Sequence, residues 1–227
     1  AFEQVRNAVG YPHNNVKIAA THAGLSVGED GATHQCNEDI ALMRTIPGMT
    51  ILNPADPVEA KACVRAAAEF EGPVYLRFGR MAVEPIFDEN YEIEIGKGVT
   101  LKEGTDVTIV ATGLMVGMAL EAAETLKAEG ISARVINIHT IKPLDKELII
   151  NAAKETGAIV TAEEHSVIGG LGGAVTEALA ETCPVPVLRV GVEDKFGTSA
   201  PAAVVLKAYG LTPETIVEKA KKAISLK

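Results

Sequence analysis

The chain has no tryptophan, and aromatic residues make up only 4% of its 227 residues. Proteins that stack single-stranded bases need aromatic platforms, so that mode of nucleic-acid binding is excluded. There is no excess of basic residues either: 21 bases stand against 30 acids, for a net charge of −9. Phosphate backbones call for the opposite sign, which removes nucleic acid as the main partner. Cysteine is scarce. Cys36, Cys63 and Cys183 are odd in number and far apart, which argues against a disulfide framework or a zinc ribbon and for a reducing, cytoplasmic setting. No apolar run approaches the roughly 20 residues that span a bilayer, and no signal-peptide pattern is visible, so no membrane partner is expected. The first residue is not Met, and Ala1-Phe2-Glu3-Gln4-Val5 reads as mid-helix sequence, from which further chain upstream is expected.

What is present is an ordinary globular composition, 47% hydrophobic and 22% charged. Short β-rich runs alternate with amphipathic helical stretches, which predicts an α/β fold with mainly parallel sheets. Strands are predicted over 16–21, 49–52, 74–78, 107–111, 133–138, 158–162 and 185–190. Asp56-Pro57-Val58-Glu59 is a strong helix start, with a capping carboxylate, Pro at the first position and Glu at the third. Asp145 and Thr212-Pro213-Glu214 are further starts, and Gly130 and Gly157 are stops. Residues 81–95 break the alternation: Glu84 to Glu94 holds five acids, no base and an irregular pattern. This is the expected acidic linker, and its Ile86, Phe87, Tyr91 and Ile93 predict packing along a surface. Beyond it, four strands with intervening helices form a second unit.

Chemistry concentrates in Gly28-Glu29-Asp30-Gly31-Ala32-Thr33-His34-Gln35, with His22 eight residues before Asp30. Each polar residue alone is compatible with turn chemistry. Together, behind the short apolar run 16–21, read as a buried strand, His22, Asp30 and His34 point to a site of one of two kinds. One is a metal site of two imidazoles and a carboxylate, for which a fourth ligand is lacking. The other is a polar cluster for a sugar-like or phosphorylated substrate, with His for proton transfer, Asp for a hydroxyl and His⁺ for phosphate. Arg77 and Arg80 stand at a strand end, where open parallel sheets place ligands, and alternation puts them on opposite faces if the strand continues through both. Gly169-Gly170-Leu171-Gly172-Gly173 fails the dinucleotide fingerprint at Val175 and reads as close helix–strand packing. Glu163-Glu164-His165 fits a catalytic group or strand-end polarity equally well. Cys36 reads as a small packed residue, and His13 and His139 show no constellation.

Thr21-His22-Ala23-Gly24, Gly28 through Gln35, Arg44-Thr45-Ile46-Pro47-Gly48-Met49 and Asn53-Pro54-Ala55-Asp56 resemble transketolase, a thiamine-diphosphate enzyme. So do Tyr75-Leu76-Arg77-Phe78-Gly79-Arg80, Glu164 through Gly172, Asp194-Lys195-Phe196-Gly197 and Tyr209-Gly210-Leu211-Thr212. The likeness runs in order along nearly the whole chain and is greatest to the C-terminal subunit of split transketolases. It implies two three-layer α/β/α domains: residues 1–80 as most of the pyrimidine-binding domain, 81–95 as linker and 96–227 as the C-terminal domain. By motif position it implies that His34 lies beside the cofactor and the sugar carbonyl, and that Asp30 hydrogen-bonds a substrate hydroxyl. His22 and Arg80 would hold the sugar's terminal phosphate. The implied reaction moves a two-carbon ketol unit from a ketose phosphate to an aldose phosphate. The family's Gly-Asp-Gly metal–diphosphate motif is not in this sequence, nor is the segment carrying the cofactor-activating Glu. An N-terminal partner subunit is therefore expected to bind magnesium or calcium, the fragment alone is expected to be inactive, and a homodimer through the α/β domains is expected. The alternatives are a 1-deoxy-xylulose-5-phosphate synthase-like chain, a 2-oxo-acid dehydrogenase β-like subunit, a catalytically silent assembly module, or a metal-binding protein.

Overall fold

A computed structural model describes residues 1–227. In chain order the strands are β1 (Lys17–Ala20), β2 (Thr50–Leu52), β3 (Val74–Arg77), β4 (Val99–Lys102), β5 (Val107–Ala111), β6 (Ala133–Asn137), β7 (Thr140–Lys142), β8 (Ile159–Ser166) and β9 (Val187–Val192). The α-helices are α1 (Phe2–Gln4), α2 (Asp39–Arg44), α3 (Pro57–Glu69), α4 (Met115–Ala128), α5 (Lys146–Thr156), α6 (Leu171–Ala180), α7 (Ala202–Ala208) and α8 (Pro213–Ile224). One sheet has the order β1-β3-β2-β7 and the other β4-β6-β5-β8-β9. The pairs β1–β3, β2–β3, β5–β6, β5–β8 and β8–β9 are parallel, because helices carry the chain back between successive strands. The fold is thus α/β with two mainly parallel sheets.

The helix starts lie where the sequence signals them. Asp56 Oδ1 accepts from Glu59 N (2.7 Å), Asp145 Oδ1 from Leu148 N (3.1 Å) and Thr212 Oγ1 from Thr215 N (3.3 Å). Each satisfies an N–H that the helix itself leaves unpaired. The central strands of the second sheet are apolar on both faces, as strands covered by helices on both sides must be. Val107, Ile109 and Val135 pack with residues of α4 and α8, while Val110, Ile136 and Ile159 pack with residues of α5 and α6.

Three elements differ from the sequence expectation. The second unit has five strands rather than four: β4 adds an antiparallel edge beside β6, and its four residues are only partly buried. β7 leaves the second unit altogether and pairs antiparallel with β2, Ile51 opposite Lys142 and Leu52 opposite Thr140. β1 is an edge strand of partial burial, not the buried strand that its apolar run suggested. The core also runs across both sheets, because Ile51 and Tyr75 of the first belong to one buried cluster with Val110 and Ile136 of the second. Residues 81–95 carry no helix or strand and are tied down at their middle. There Asp56 Oδ2 accepts from the Ile86 and Phe87 N–H groups, and the Phe87 and Tyr91 rings stack 3.9 Å apart.

No helix is long and apolar enough to cross a membrane.

Candidate functional site

The site is built where β1 and β3 end. Parallel strands direct their C-terminal ends to the same edge, so the segments that follow gather there. After β1 the chain passes Thr21 and His22 into a loop whose tight turn covers Leu25–Asp30. After β3 it passes Phe78 and Gly79 to Arg80. His22 is exposed with φ 64°, an uncommon conformation for a residue with a Cβ, and its Nδ1 lies 3.0 Å from Thr21 Oγ1. His34 is exposed too, its Nδ1 3.0 Å from Thr33 Oγ1.

Asp30 and Arg80 are brought together. Arg80 Nη1 donates to the Val27 carbonyl, stands 3.5 Å from Asp30 Oδ2 and lies 3.9 Å from Glu29 Oε2. Bonding to a backbone oxygen of the loop fixes the guanidinium over the turn, while 40% of its side-chain surface remains open to a ligand. His22 and His34 share the loop but make no hydrogen bond to Asp30 or Arg80. No group of three or more His, Cys, Asp or Glu side chains is gathered closely enough to hold a metal ion. A cavity of about 150 Å³ opens next to the loop, lined by Asn53, Asp56, Arg77, Gly79 and Glu164 among others. None of His22, Asp30 and His34 lines it.

Arg80 lies three residues past the end of β3, outside the strand to which alternation applies, whereas Arg77 closes the strand and is buried. It is 2% exposed, and its Nε donates to Asp39 Oδ2 (2.7 Å) while its Nη2 donates to the Glu164 carbonyl (2.9 Å). Tyr75 Oη donates to the same Asp39 oxygen (2.8 Å). Burial works against the Asp39 charge, but Arg77, His165 and the Tyr75 hydroxyl together hold its carboxyl below the usual range. Arg77 is thus a buried link between the two sheets.

Glu163-Glu164-His165, left open between chemistry and strand-end polarity, proves to be the buried end of β8. Glu163 accepts from the Leu171 N–H (2.6 Å) and the Gly172 N–H (2.8 Å), so a side chain already occupies the start of α6. Burial nevertheless pushes the Glu163 carboxyl up to about 7. His165 Nδ1 donates to the Ser166 carbonyl (2.7 Å) and its Nε2 accepts from Ala41 N (3.3 Å), which is the pattern of a neutral imidazole. Burial and the nearby Arg77 charge drive it down to about 4.

The supporting roles of two residues escape sequence reasoning. Glu164 Oε1 accepts from the Ser26 N–H inside the loop. Gln35 Nε2 donates to the carbonyls of Gly28 (3.1 Å) and Thr198 (2.9 Å), 3.4 Å from that of Leu25. Their importance lies in partners 138 and 163 residues away, which no local pattern encodes. The one available signal for Gln35 was its place beside His34.

Residues 1–85 match the family described as transketolase, pyrimidine binding domain, and residues 96–216 match transketolase, C-terminal domain. The chain is 50% identical over 222 residues to a Methanocaldococcus jannaschii protein described as a transketolase C-terminal section, covering 96% of this chain and 69% of that one. It is 45% identical over 225 residues to a 6-deoxy-6-sulfo-D-fructose transketolase subunit of Clostridium sp., covering 99% and 70%. A solved structure described as a split gene transketolase, inactive β4 tetramer, superposes with a TM-score of 0.95 at 54% identity, over 100% of this chain and 73% of that one.

Proposed function

The chain belongs to the transketolase family, as a C-terminal component spanning its pyrimidine-binding and C-terminal domains, and we propose that it supplies the substrate-facing half of a ketol-transfer site. The observation that carries this reading is the seating of Arg80 over the turn that bears Asp30, with both side chains open to solvent. A fixed guanidinium beside a hydroxyl-binding carboxylate suits a sugar with an anionic end. In the proposal His22 and Arg80 hold that anionic end. Asp30 accepts a hydrogen bond from the hydroxyl next to the cleaved bond. His34 contacts the sugar near its carbonyl and moves a proton there.

Thiamine diphosphate is the cofactor the family implies, and when bound it supplies the electron sink for carbon–carbon cleavage. This chain's residues do not fit it alone. His34 is exposed on an open loop, and the adjacent cavity is not lined by the loop's polar residues. In our reading His34 forms one edge of the cofactor site. A separate N-terminal transketolase section provides the remainder, including the carboxylates for magnesium or calcium. The chain alone is inactive, and pairs of chains associate through their α/β domains in the cytoplasm.

The test assembles the chain with that N-terminal section, thiamine diphosphate, magnesium, xylulose 5-phosphate and ribose 5-phosphate. Sedoheptulose 7-phosphate is the expected product, placing the chain in the pentose phosphate pathway, and none from an assembled complex refutes the reading. A second reading concerns only the anionic end. The relative named for a sulfo-sugar is 45% identical, so a terminal sulfonate in place of phosphate is the competing substrate. The same assay with a sulfonated ketose separates the two. Release of carbon dioxide from pyruvate would instead indicate a 1-deoxy-xylulose-5-phosphate synthase-like chain or a 2-oxo-acid dehydrogenase β-like subunit.

A further inference from the structure

The loop carrying Asp30 and His34 is not held by its own sheet alone. Leu25, at its start, is fully buried in the cluster that contains Val205 and Leu206 of α7. Glu164, at the end of β8, reaches into the loop and accepts from the Ser26 N–H. The Gln35 amide closes the other end, donating to the Gly28 carbonyl within the loop and to the Thr198 carbonyl of the second unit. The fit leaves no slack. Gly24 and Gly31 have φ of 80° and 78°. A Cβ on Gly24 would stand 2.5 Å from the Glu164 carboxyl carbon, and one on Gly31 would collide with the Ser199 hydroxyl.

We propose that Glu164 and Gln35 are positioning residues, through which the C-terminal unit sets the geometry of Asp30 and His34. The proposal rests on the sugar-binding reading above and extends it. The C-terminal unit thereby becomes the back wall of the site. Both side chains are buried. Glu164 is 4% exposed and Gln35 6%. Each acts on backbone groups, Glu164 as an acceptor for one N–H and Gln35 as a donor to carbonyls. That chemistry separates their variants. Glu164→Gln keeps a carbonyl oxygen for the Ser26 N–H, whereas Glu164→Ala leaves that donor buried and unpaired. Gln35→Glu sets a carboxylate against the carbonyls of Gly28 and Thr198 and is repelled.

The experiment uses the chain assembled with the N-terminal section and reads KM and kcat for a ketose phosphate, Tm, and amide hydrogen exchange across 24–35. Glu164→Ala and Gln35→Glu are expected to raise KM about tenfold or more and to speed exchange in that segment. Glu164→Gln is expected to return KM to within about threefold of wild type. Leu126→Ala, in the core of the second unit, lowers Tm without that rise in KM. Wild-type KM in both Glu164→Ala and Gln35→Glu overturns the proposal, as does an equal rise in Leu126→Ala. A wild-type complex with no transfer refutes the sugar reading instead, and exchange then decides. Faster exchange confined to 24–35 sustains the positioning role, and unchanged exchange overturns it.

Discussion

At the residue scale, Arg80 contributes little to holding the fold. Its carboxylate neighbours lie 3.5 and 3.9 Å away and are at least half exposed, a setting in which ion pairs add about 0–1 kcal/mol. Arg80→Ala is therefore expected to leave Tm nearly unchanged while raising KM for phosphorylated sugars by about 10- to 100-fold, the loss of a charged contact worth about 1.5–3 kcal/mol. Asp30→Ala is expected to lower kcat and to raise KM as well, since its carboxylate holds a substrate hydroxyl in the bound ground state too. Steady-state kinetics with a phosphorylated and an unphosphorylated ketose tests both, since Arg80→Ala should leave the unphosphorylated sugar unaffected. The buried groups govern pH dependence. Burial pushes Glu59 and Glu163 up to about 7, and it drives His139 and His165 down to about 4. Between pH 4.5 and 6.5 the folded chain therefore keeps two carboxyl protons that the unfolded chain has lost. Over the same range the unfolded chain binds two imidazole protons that the folded chain refuses. The two pairs offset, so their joint contribution to stability is flat. Glu163→Gln removes one proton from the folded side, after which stability should fall on acidification by on the order of 1 kcal/mol per pH unit. Urea unfolding at pH 5 and pH 6.5 measures this, and parallel behaviour of variant and wild type would contradict it. His22, Asp30, His34 and Arg80 could be picked out in the sequence because they crowd around glycines at strand ends. Asp39 could not, and Arg77 and Glu164 were visible without their roles, because those roles depend on what burial puts beside them.

At the scale of elements, one carboxylate serves two segments. Asp56 Oδ1 caps α3, and Oδ2 holds the Ile86 and Phe87 N–H groups of the acidic stretch. Asp56→Ala should cost about 2 kcal/mol or more, a lost cap of roughly 1 kcal/mol plus N–H groups left without an acceptor. Asp56→Asn keeps one acceptor oxygen and should cost less, and thermal unfolding of the two variants distinguishes these cases. The cap was legible because a helix start is a local event, written in Asp56-Pro57-Val58-Glu59. β4 and β7 were not. Each is set by a partner distant in the chain: what makes Thr140–Lys142 a strand is the open edge of β2, and Val99–Lys102 is an antiparallel edge beside β6. The Gly169–Gly173 cluster was read correctly as packing, and Glu163 supplies the reason, since it fills the helix start that a phosphate would otherwise occupy.

At the scale of the whole molecule, the two sheets share a buried cluster and exchange a strand, so neither keeps its native surface without the other. Calorimetry should show one cooperative transition, with calorimetric and van't Hoff enthalpies in agreement. Two resolved transitions would show that the sheets unfold separately. The alternation of strands and helices made the α/β class and both parallel sheets readable in advance. The exchange between sheets was hidden because it depends on contacts far apart in the chain. It also places a demand on synthesis. Leu52 pairs with Thr140, 88 positions later. A ribosome adding about 5–20 residues per second takes ~4–18 s over that interval. For those seconds β2 has an unclaimed edge, open to neighbouring chains on the same message. At three residues β2 gives a stray strand little to grip, and that brevity guards the growing chain until its own partner emerges.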